Sequence, residues 1–460
     1  MSPPSMLAEV ELADALRAVV GAGHVLTEPD LRAGYERDLT GRFGAEAALV
    51  VRPGSTAEIA ETVKRCGRHG FSIAVQGGNT GMVGGAVPRP GEVVVSLSRL
   101  DDIEPVDRLA QQVECGAGVT LGQVQEHARA VGLDFPVDFG SRSRATVGGA
   151  IGTNAGGALA ARYGMMRAWV AGVEAVLADG SIVRRLAGLV KDNAGYDLTG
   201  LLVGSEGTLG IVTRARLRLT PLLPARAVAM FALASVENAL QLRATLRERA
   251  PSLIAADYFH HTGMELVCAH RGFNSPFSRG YDTYAVVECA AMTDPTDELV
   301  EAAAAAEELI ADAAIASDAD GRRALWEFRE GQNESINAHG VPHKLDVSVP
   351  IASVPAFERD VVGAVSAGWP DAELFNYGHL GDGNVHVNVI GPPSEDIEVD
   401  ELVLRLVERH RGSISAEHGV GIAKPRWLEL TRSPAEIAVL RAIKQAFDPD
   451  GILNPGRILP

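Results

Sequence analysis

The 50 glycines of this 460-residue chain are not spread evenly, and where they collect limits what the chain can fold into. The first block is Gln76-Gly77-Gly78-Asn79-Thr80-Gly81-Met82-Val83-Gly84-Gly85-Ala86. It follows a strand–helix–strand pattern. An apolar strand at 49–51 leads to a helix opened by the capping box Ser55-Thr56-Ala57-Glu58, with Ile59, Val63 and Cys66 on one stripe, and then to a strand at 72–75. A loop so poor in side chains presents backbone. Consecutive N–H groups in such loops make anion-binding nests, with phosphate or pyrophosphate as the natural guest. The second block, 146–157, carries Gly148, Gly149, Gly152, Asn154 and Gly157 among small residues. There the backbone lies against a flat ligand, or a helix packs very closely on its neighbour. The third, 203–212, runs through Glu206, Gly210 and Ile211 into a strand ending near Thr220. None of the three is a Gly-x-Gly-x-x-Gly between strand and helix, or a Gly-x-x-x-x-Gly-Lys-Ser/Thr. A Rossmann dinucleotide site and a P-loop are therefore excluded.

Chemistry-bearing side chains gather elsewhere, in Gly378-His379-Leu380-Gly381-Asp382-Gly383-Asn384-Val385-His386-Val387-Asn388 and in Ser415-Ala416-Glu417-His418-Gly419-Val420-Gly421. Residues 374–377 and 385–390 read as strands joined by a turn at Gly381-Asp382-Gly383. Period two then puts His386 and Asn388 on one face and Val385, Val387 and Val389 on the other, with Tyr377 and His379 sharing a face. A hairpin brings His379 close to His386. Glu417, arriving from the second segment, makes a His/His/Glu set suited to zinc or a similar ion with positions open for a ligand. His418 then stands behind the ligands or acts as a base.

The length predicts two or three domains. A content of 46% hydrophobic and 22% charged residues is that of a soluble globular protein, and a net charge of −17 disfavours nucleic acid as a partner. Cys66, Cys115, Cys268 and Cys289 are scattered, which suits a reducing compartment and supplies no iron–sulfur pattern. No secretory signal is visible, and the apolar runs fall short of the ~20 residues of a membrane span. A cytoplasmic protein with no integral membrane segment is expected. Residues 221–224, bracketed by Pro221 and Pro224, mark the best domain boundary. Beyond it the pattern predicts strands at 228–233 and 284–288, helices at 235–249 and 295–314, a helix around 326–330 and a strand starting at 344–346. Before it, 173–184 reads as a hairpin with a type I′ turn at Asp179-Gly180.

The three glycine clusters, in this order, resemble the FAD-binding domain of the vanillyl-alcohol oxidase (PCMH-type) superfamily. The His/Glu segments narrow the resemblance to the branch of FAD-linked D-2-hydroxyacid dehydrogenases, which holds D-2-hydroxyglutarate dehydrogenase, D-lactate dehydrogenases and the glycolate oxidase FAD subunit. It runs from about Leu49 to Phe447-Asp448-Pro449-Asp450-Gly451-Ile452-Leu453-Asn454-Pro455-Gly456. The resemblance implies an α+β protein. Residues 1–222 would form a two-subdomain PCMH-type FAD-binding domain and 223–415 an α+β substrate-binding (cap) domain. Residues 416–460, partly helical, would complete the active site and return to the FAD domain.

The same resemblance assigns roles. Gln76, Gly77, Gly78, Asn79, Thr80, Gly81 and Met82 match the loop around the FAD pyrophosphate. Gly148, Gly149, Gly152, Asn154 and Gly157 match the segment against the flavin, Glu206, Gly210 and Ile211 the strand on the adenosine side, and Asn454 a further cofactor contact. The first loop has no His for covalent attachment, so non-covalent FAD is expected. His379, His386 and Glu417 match ligands of a divalent metal, with Zn2+ first and Mn2+, Fe2+ or Co2+ as alternatives. Asn388 and His418 match substrate contacts, His418 being the catalytic base. Arg329 and Lys344 match carboxylate-binding residues, and Asn333 stands where D-2-hydroxyglutarate dehydrogenase carries Thr. The implied reaction is metal-assisted oxidation of a D-2-hydroxy acid, D-2-hydroxyglutarate first, to the 2-oxo acid by hydride transfer to flavin N5. D-lactate or glycolate oxidation on the same fold is the alternative. A flavin-free zinc hydrolase is a more distant one, because it leaves the glycine clusters unexplained. The partners implied are the small 2-hydroxy acid and an external electron acceptor, either an electron-transfer protein or a quinone. A homodimer is compatible with this reading.

Overall fold

The computed structural model describes residues 6–460. The chain forms two compact units. The first holds the residues up to Gly157, Gly164–Leu222 and Glu417–Pro460, and the second holds Ala158–Tyr163 and Leu223–Ala416. The short segment Ala158–Tyr163 thus belongs with the second unit, although the sequence reading put it in 1–222.

The first unit is built on two four-stranded sheets. In one, Leu49–Val51 and Ile73–Gln76 both run parallel to Val93–Ser96, with Val25–Leu26 antiparallel at the edge. Nearly every residue of the three parallel strands is buried, the expected state of a short parallel sheet covered on both faces. Helix Thr56–Arg68 starts where the capping box places it: Ser55 Oγ accepts from Glu58 N–H, and Ile59, Val63 and Cys66 face the core together with Leu12 and Leu16 of helix Met6–Val20. The other sheet is antiparallel, in the order Gln112–Gly116, Ile211–Arg218, Val170–Val176, Ile182–Arg184, and its core includes Val124, Val147 and Ile151 from two helices. The C-terminal segment is tied into the parallel sheet. Ile73 N–H donates to Ile452 O at 2.7 Å, Asn454 N–H donates back to Ile73 O at 2.9 Å, and Leu453 is fully buried.

The second unit is one seven-stranded antiparallel sheet in the order Ile310–Ala316, Ala225–Leu233, Thr283–Ala291, Leu253–His260, Glu373–His379, Asn384–Ile390, His343–Ser348. One face packs Met230, Phe259, Tyr284, Val286, Phe375 and Tyr377 against Leu325, Phe328 and Ile336 of helices Ala319–Glu330 and Gln332–His339. The histidine hairpin lies near the end of this sheet. Its turn needs glycine at one point: Gly383 has φ +79°, and a Cβ there would come within 2.1 Å of Val349 O.

Two local expectations are corrected. The helix expected over 295–314 is Thr296–Ala304 only. After a 3-10 turn at Glu307–Leu309, Ile310–Ala316 is the edge strand of the sheet. Alanine reads as helical by propensity, but six backbone positions paired with residues 228–233 of strand Ala225–Leu233 outweigh it. The Asp179-Gly180 turn is not type I′, because only Gly180, at φ +78°, is left-handed. With Gly180 N–H donating to Leu177 O and Leu177 N–H to Ser181 O, it is a type I turn closed by a glycine.

Candidate active site

In the first unit the glycine clusters converge. Gly78 packs so closely on the second cluster's lead-in that a Cβ would come within 1.9 Å of Arg144 O. Glu206 N–H donates to Gly152 O at 2.8 Å, and Asn454 ties the third cluster to the first by donating to Glu206 O at 2.5 Å and accepting from Val75 N–H at 2.8 Å. Among the described residues, the backbone N–H groups from Gly77 to Met82 have no protein acceptor. Six donors in a row facing no protein oxygen are what a pyrophosphate nest requires, so the residues present fit FAD. Several expected cofactor side chains also make contacts within the protein. The Gln76 amide donates to Tyr35 O and Ala86 O, and Asn154, left-handed at φ 53°, accepts from Arg167 N–H at 2.9 Å. The Glu206 carboxylate accepts from Val420 N–H at 2.7 Å and Gly421 N–H at 2.8 Å, while burial pushes its carboxyl up from the ordinary value. These three residues and Asn454 hold the glycine segments in place. Gly210 is explained by packing, since a Cβ would meet Leu202 at 3.0 Å, and Ile211 is fully buried.

In the second unit, period two works as the sequence suggested. Strand Asn384–Ile390 sets His386 opposite Tyr377 and Asp346, and Asn388 opposite Phe375 and Lys344. The rings of His379 and His386 lie 5.6 Å apart, and the Tyr377 ring lies 4.8 Å from that of His386. Both histidines are backed by buried carboxylates that the sequence reading did not single out as site residues. Asp257 Oδ1 lies 2.7 Å from His379 Nδ1, and Asp346 Oδ1 lies 3.7 Å from His386 Nδ1. The 2.7 Å contact from Asp257 favours His379 with its proton on Nδ1 and Nε2 as the nitrogen a metal would take, whereas Asp346 lies beyond hydrogen-bond distance of His386. The donor set fits a divalent ion.

Asp257 has a second role. Its Oδ2 sits 2.9 Å from Arg329 Nε, and the Arg329 guanidinium lies 4.5 Å from the Tyr377 ring centre. One carboxylate, 2% exposed, thus holds both a metal-type histidine and the expected carboxylate-binding arginine. Lys344 Nζ donates to Asn333 Oδ1, so the residue in the Thr position directly contacts the second cation. Burial pushes the Lys344 ammonium down to about 8. The Asn388 amide donates to Phe375 O at 2.9 Å, which holds the strand pair and leaves its Oδ1 as the group for a ligand. Glu417 and His418 belong to the first unit, where Glu417 Oε1 accepts from Gly157 N–H at 2.6 Å. In sequence Glu417 directly follows Ala416, whose N–H reaches Asp346 O at 3.4 Å.

Residues 47–185 match the FAD binding domain family, and residues 222–458 match the family of FAD linked oxidases, C-terminal domain. The chain belongs to the FAD-linked oxidase family. The D-2-hydroxyglutarate dehydrogenase of Xanthomonas citri pv. viticola is 39% identical, over 96% of this chain and 96% of that protein. The mitochondrial D-2-hydroxyglutarate dehydrogenase of Arabidopsis thaliana is 32% identical, over 96% of this chain and 80% of that protein. Among solved structures, p-cresol methylhydroxylase with substrate bound has the same fold, with a TM-score of 0.78 at 17% identity, covering 99% of this chain and 97% of that one. The PCMH-type FAD-binding fold is thus present, joined to the antiparallel α+β unit. Among the described residues no helix is long and apolar enough to cross a membrane.

Proposed function

We propose that this FAD-linked oxidoreductase is a dehydrogenase that oxidises D-2-hydroxyglutarate to the 2-oxo acid. The observation that carries the choice of a dicarboxylate is the pair of cations flanking the His386–Asn388 row. Lys344 lies opposite Asn388 on one neighbouring strand, and Arg329 lies over Tyr377, opposite His386, on the other. Lactate or glycolate offers one carboxylate to two cations. The relatives named above support the same substrate. Turnover with a dye acceptor tests it: kcat/KM for D-2-hydroxyglutarate should exceed that for D-lactate by about 10- to 100-fold, the worth of one charge-assisted hydrogen bond. Equal values would remove the second carboxylate from the account.

FAD, when bound, supplies the acceptor for the C2 hydride at N5. A divalent metal held by His379, His386 and Glu417 would supply a Lewis acid for the hydroxyl oxygen. The chain's own groups do the rest. His418, adjacent in sequence to Glu417, takes the hydroxyl proton as general base. Arg329 presents a planar fork to one carboxylate, and Lys344 presents a point charge to the other. Electrons leave to an external electron-transfer protein or quinone, since the four cysteines are all free thiols and none is grouped for a cluster. We place the reaction in the cytoplasm.

Two expected results arise here. Asp257→Asn keeps the shape but removes the charge that orients His379 and Arg329. It should weaken metal affinity by about 10- to 100-fold and raise KM, with the flavin spectrum unchanged. Unchanged metal affinity and KM would make Asp257 a purely structural ion-pair partner. Lys344, pushed down to about 8, loses its charge as pH rises through that value. KM for the dicarboxylate should therefore climb above pH ~8, and in Lys344→Met the climb should be absent and KM high throughout.

A further inference from the structure

The second unit holds a cavity of about 150 Å³ that the reaction above does not use. Arg243 and Arg247, one turn apart on helix Val236–Arg249, line it together with Arg162 from the short helix Ala160–Tyr163. Ala161, Leu253, Ile254, Ala255, Ala256 and Gly381 complete the wall, and of the arginines Arg243 is half-buried while Arg162 and Arg247 are exposed. Other arginines of this unit sit on carboxylates: Arg226 on Glu288 at 2.7 Å, Arg271 on Glu334 at 2.7 Å, Arg329 on Asp257 at 2.9 Å and Arg405 on Glu401 at 2.7 Å. The side chains of Arg162, Arg243 and Arg247 have no ion pair or hydrogen bond to any described residue. Burial and the neighbouring Arg247 hold Arg243 below its ordinary value. The opposing charge that acts on Arg243 is Asp382, whose Oδ1 accepts from Asn384 N–H at 3.0 Å within the hairpin turn.

We propose that this cavity binds a small oxyanion carrying two negative charges, inorganic phosphate or a dicarboxylate, at a site separate from the substrate. Guanidinium forks match carboxylate and phosphate oxygens two at a time, and three of them around one cavity concentrate positive charge in a protein whose net charge is −17. The volume suits a small polyatomic anion and is well below the ~300 Å³ at which pockets for larger ligands begin. The wall runs directly into the histidine hairpin. Ala256 precedes Asp257, Gly381 follows His379 by two residues, and Leu380 N–H donates to Ala256 O at 2.8 Å. An anion in the cavity therefore alters the field next to the Asp257–His379 pair. The site does not depend on the proposed substrate or metal.

The test is calorimetric titration of the flavin-loaded protein at constant ionic strength, with inorganic phosphate and glutarate as separate probes. Saturable binding of at least one probe is expected, weakened about tenfold or more in Arg243→Gln/Arg247→Gln, with basal turnover unchanged. Phosphate alone, glutarate alone or both binding in this way would identify the source of the anion. Arg243→Lys, which keeps the charge but loses the fork, should fall between wild type and the double variant. It also serves as the second variant should the double variant fold poorly. No saturable binding of either probe would overturn the proposal, as would equal affinity in wild type and the variants. Glutarate bound only at the substrate site would be insensitive to these substitutions and counts against it.

Discussion

His386→Ala should lose its metal and at least about a thousandfold in turnover while remaining yellow. His386 sits between the two expected anchors of the reaction. Its ring is 5.6 Å from that of His379, and it lies on the same strand face as Asn388. With one of two imidazole ligands removed, a His/His/Glu set no longer holds a divalent ion at working concentrations. Several kcal/mol of charge stabilisation at the hydroxyl oxygen go with it, and at 1.36 kcal/mol per factor of ten about 4 kcal/mol is a thousandfold. The glycine cradle belongs to the other unit, so the flavin spectrum should be unaffected. Metal analysis, the visible spectrum and turnover on one preparation check all three. Full activity in a metal-free His386→Ala protein would remove the metal from the mechanism.

Arg457→Ala should be the most destabilising single change outside the hydrophobic cores. Arg457 is 2% exposed. It forms a two-point pair with Glu92 at 2.8 Å for both contacts, and also donates to Val87 O at 2.6 Å and Pro455 O at 2.9 Å. Glu92, 3% exposed, accepts in addition from Arg89 N–H at 2.8 Å. Removing one member of such a pair leaves a buried carboxylate uncompensated, at a cost of about 3–5 kcal/mol. The pair fastens the last residues to the loop before strand Val93–Ser96, so a fall in the thermal midpoint should come with loss of FAD. The double variant Glu92→Gln/Arg457→Met leaves no orphaned charge and should recover part of the loss. A denaturation series across these variants checks it. An Arg457→Ala midpoint equal to wild type would contradict the role given to the pair.

Much of the site was legible because its signals are local. The alternation from Val385 to Val389 is a period-two pattern whose polar face can only be His386 and Asn388, and a glycine turn at 381–383 leaves a hairpin as the simplest link to His379. The glycine loop at 77–81 was legible for a similar reason, since nothing but backbone is offered there. What stayed hidden was fixed by contacts between residues far apart in the chain. Asp257 is 122 residues from His379 and meets it only because strands Leu253–His260 and Glu373–His379 are neighbours. Glu92 and Arg457 are 365 residues apart. Neither pairing leaves a trace in spacing. The strand Ile310–Ala316 was misread because its residues favour a helix in isolation, and its partner across the sheet decides otherwise. Asn333 looked anomalous on its own, and its contact with Lys344 gives it a place.

The central claim is that the chain passes electrons from a D-2-hydroxy acid to its flavin with help from a metal. Anaerobic mixing of the purified protein with D-2-hydroxyglutarate, with and without a chelator, tests it most directly. Fast bleaching of the flavin absorbance that the chelator suppresses and added metal restores is the expected result. A yellow protein that D-2-hydroxyglutarate does not bleach, in the presence of metal, would contradict the account at its substrate.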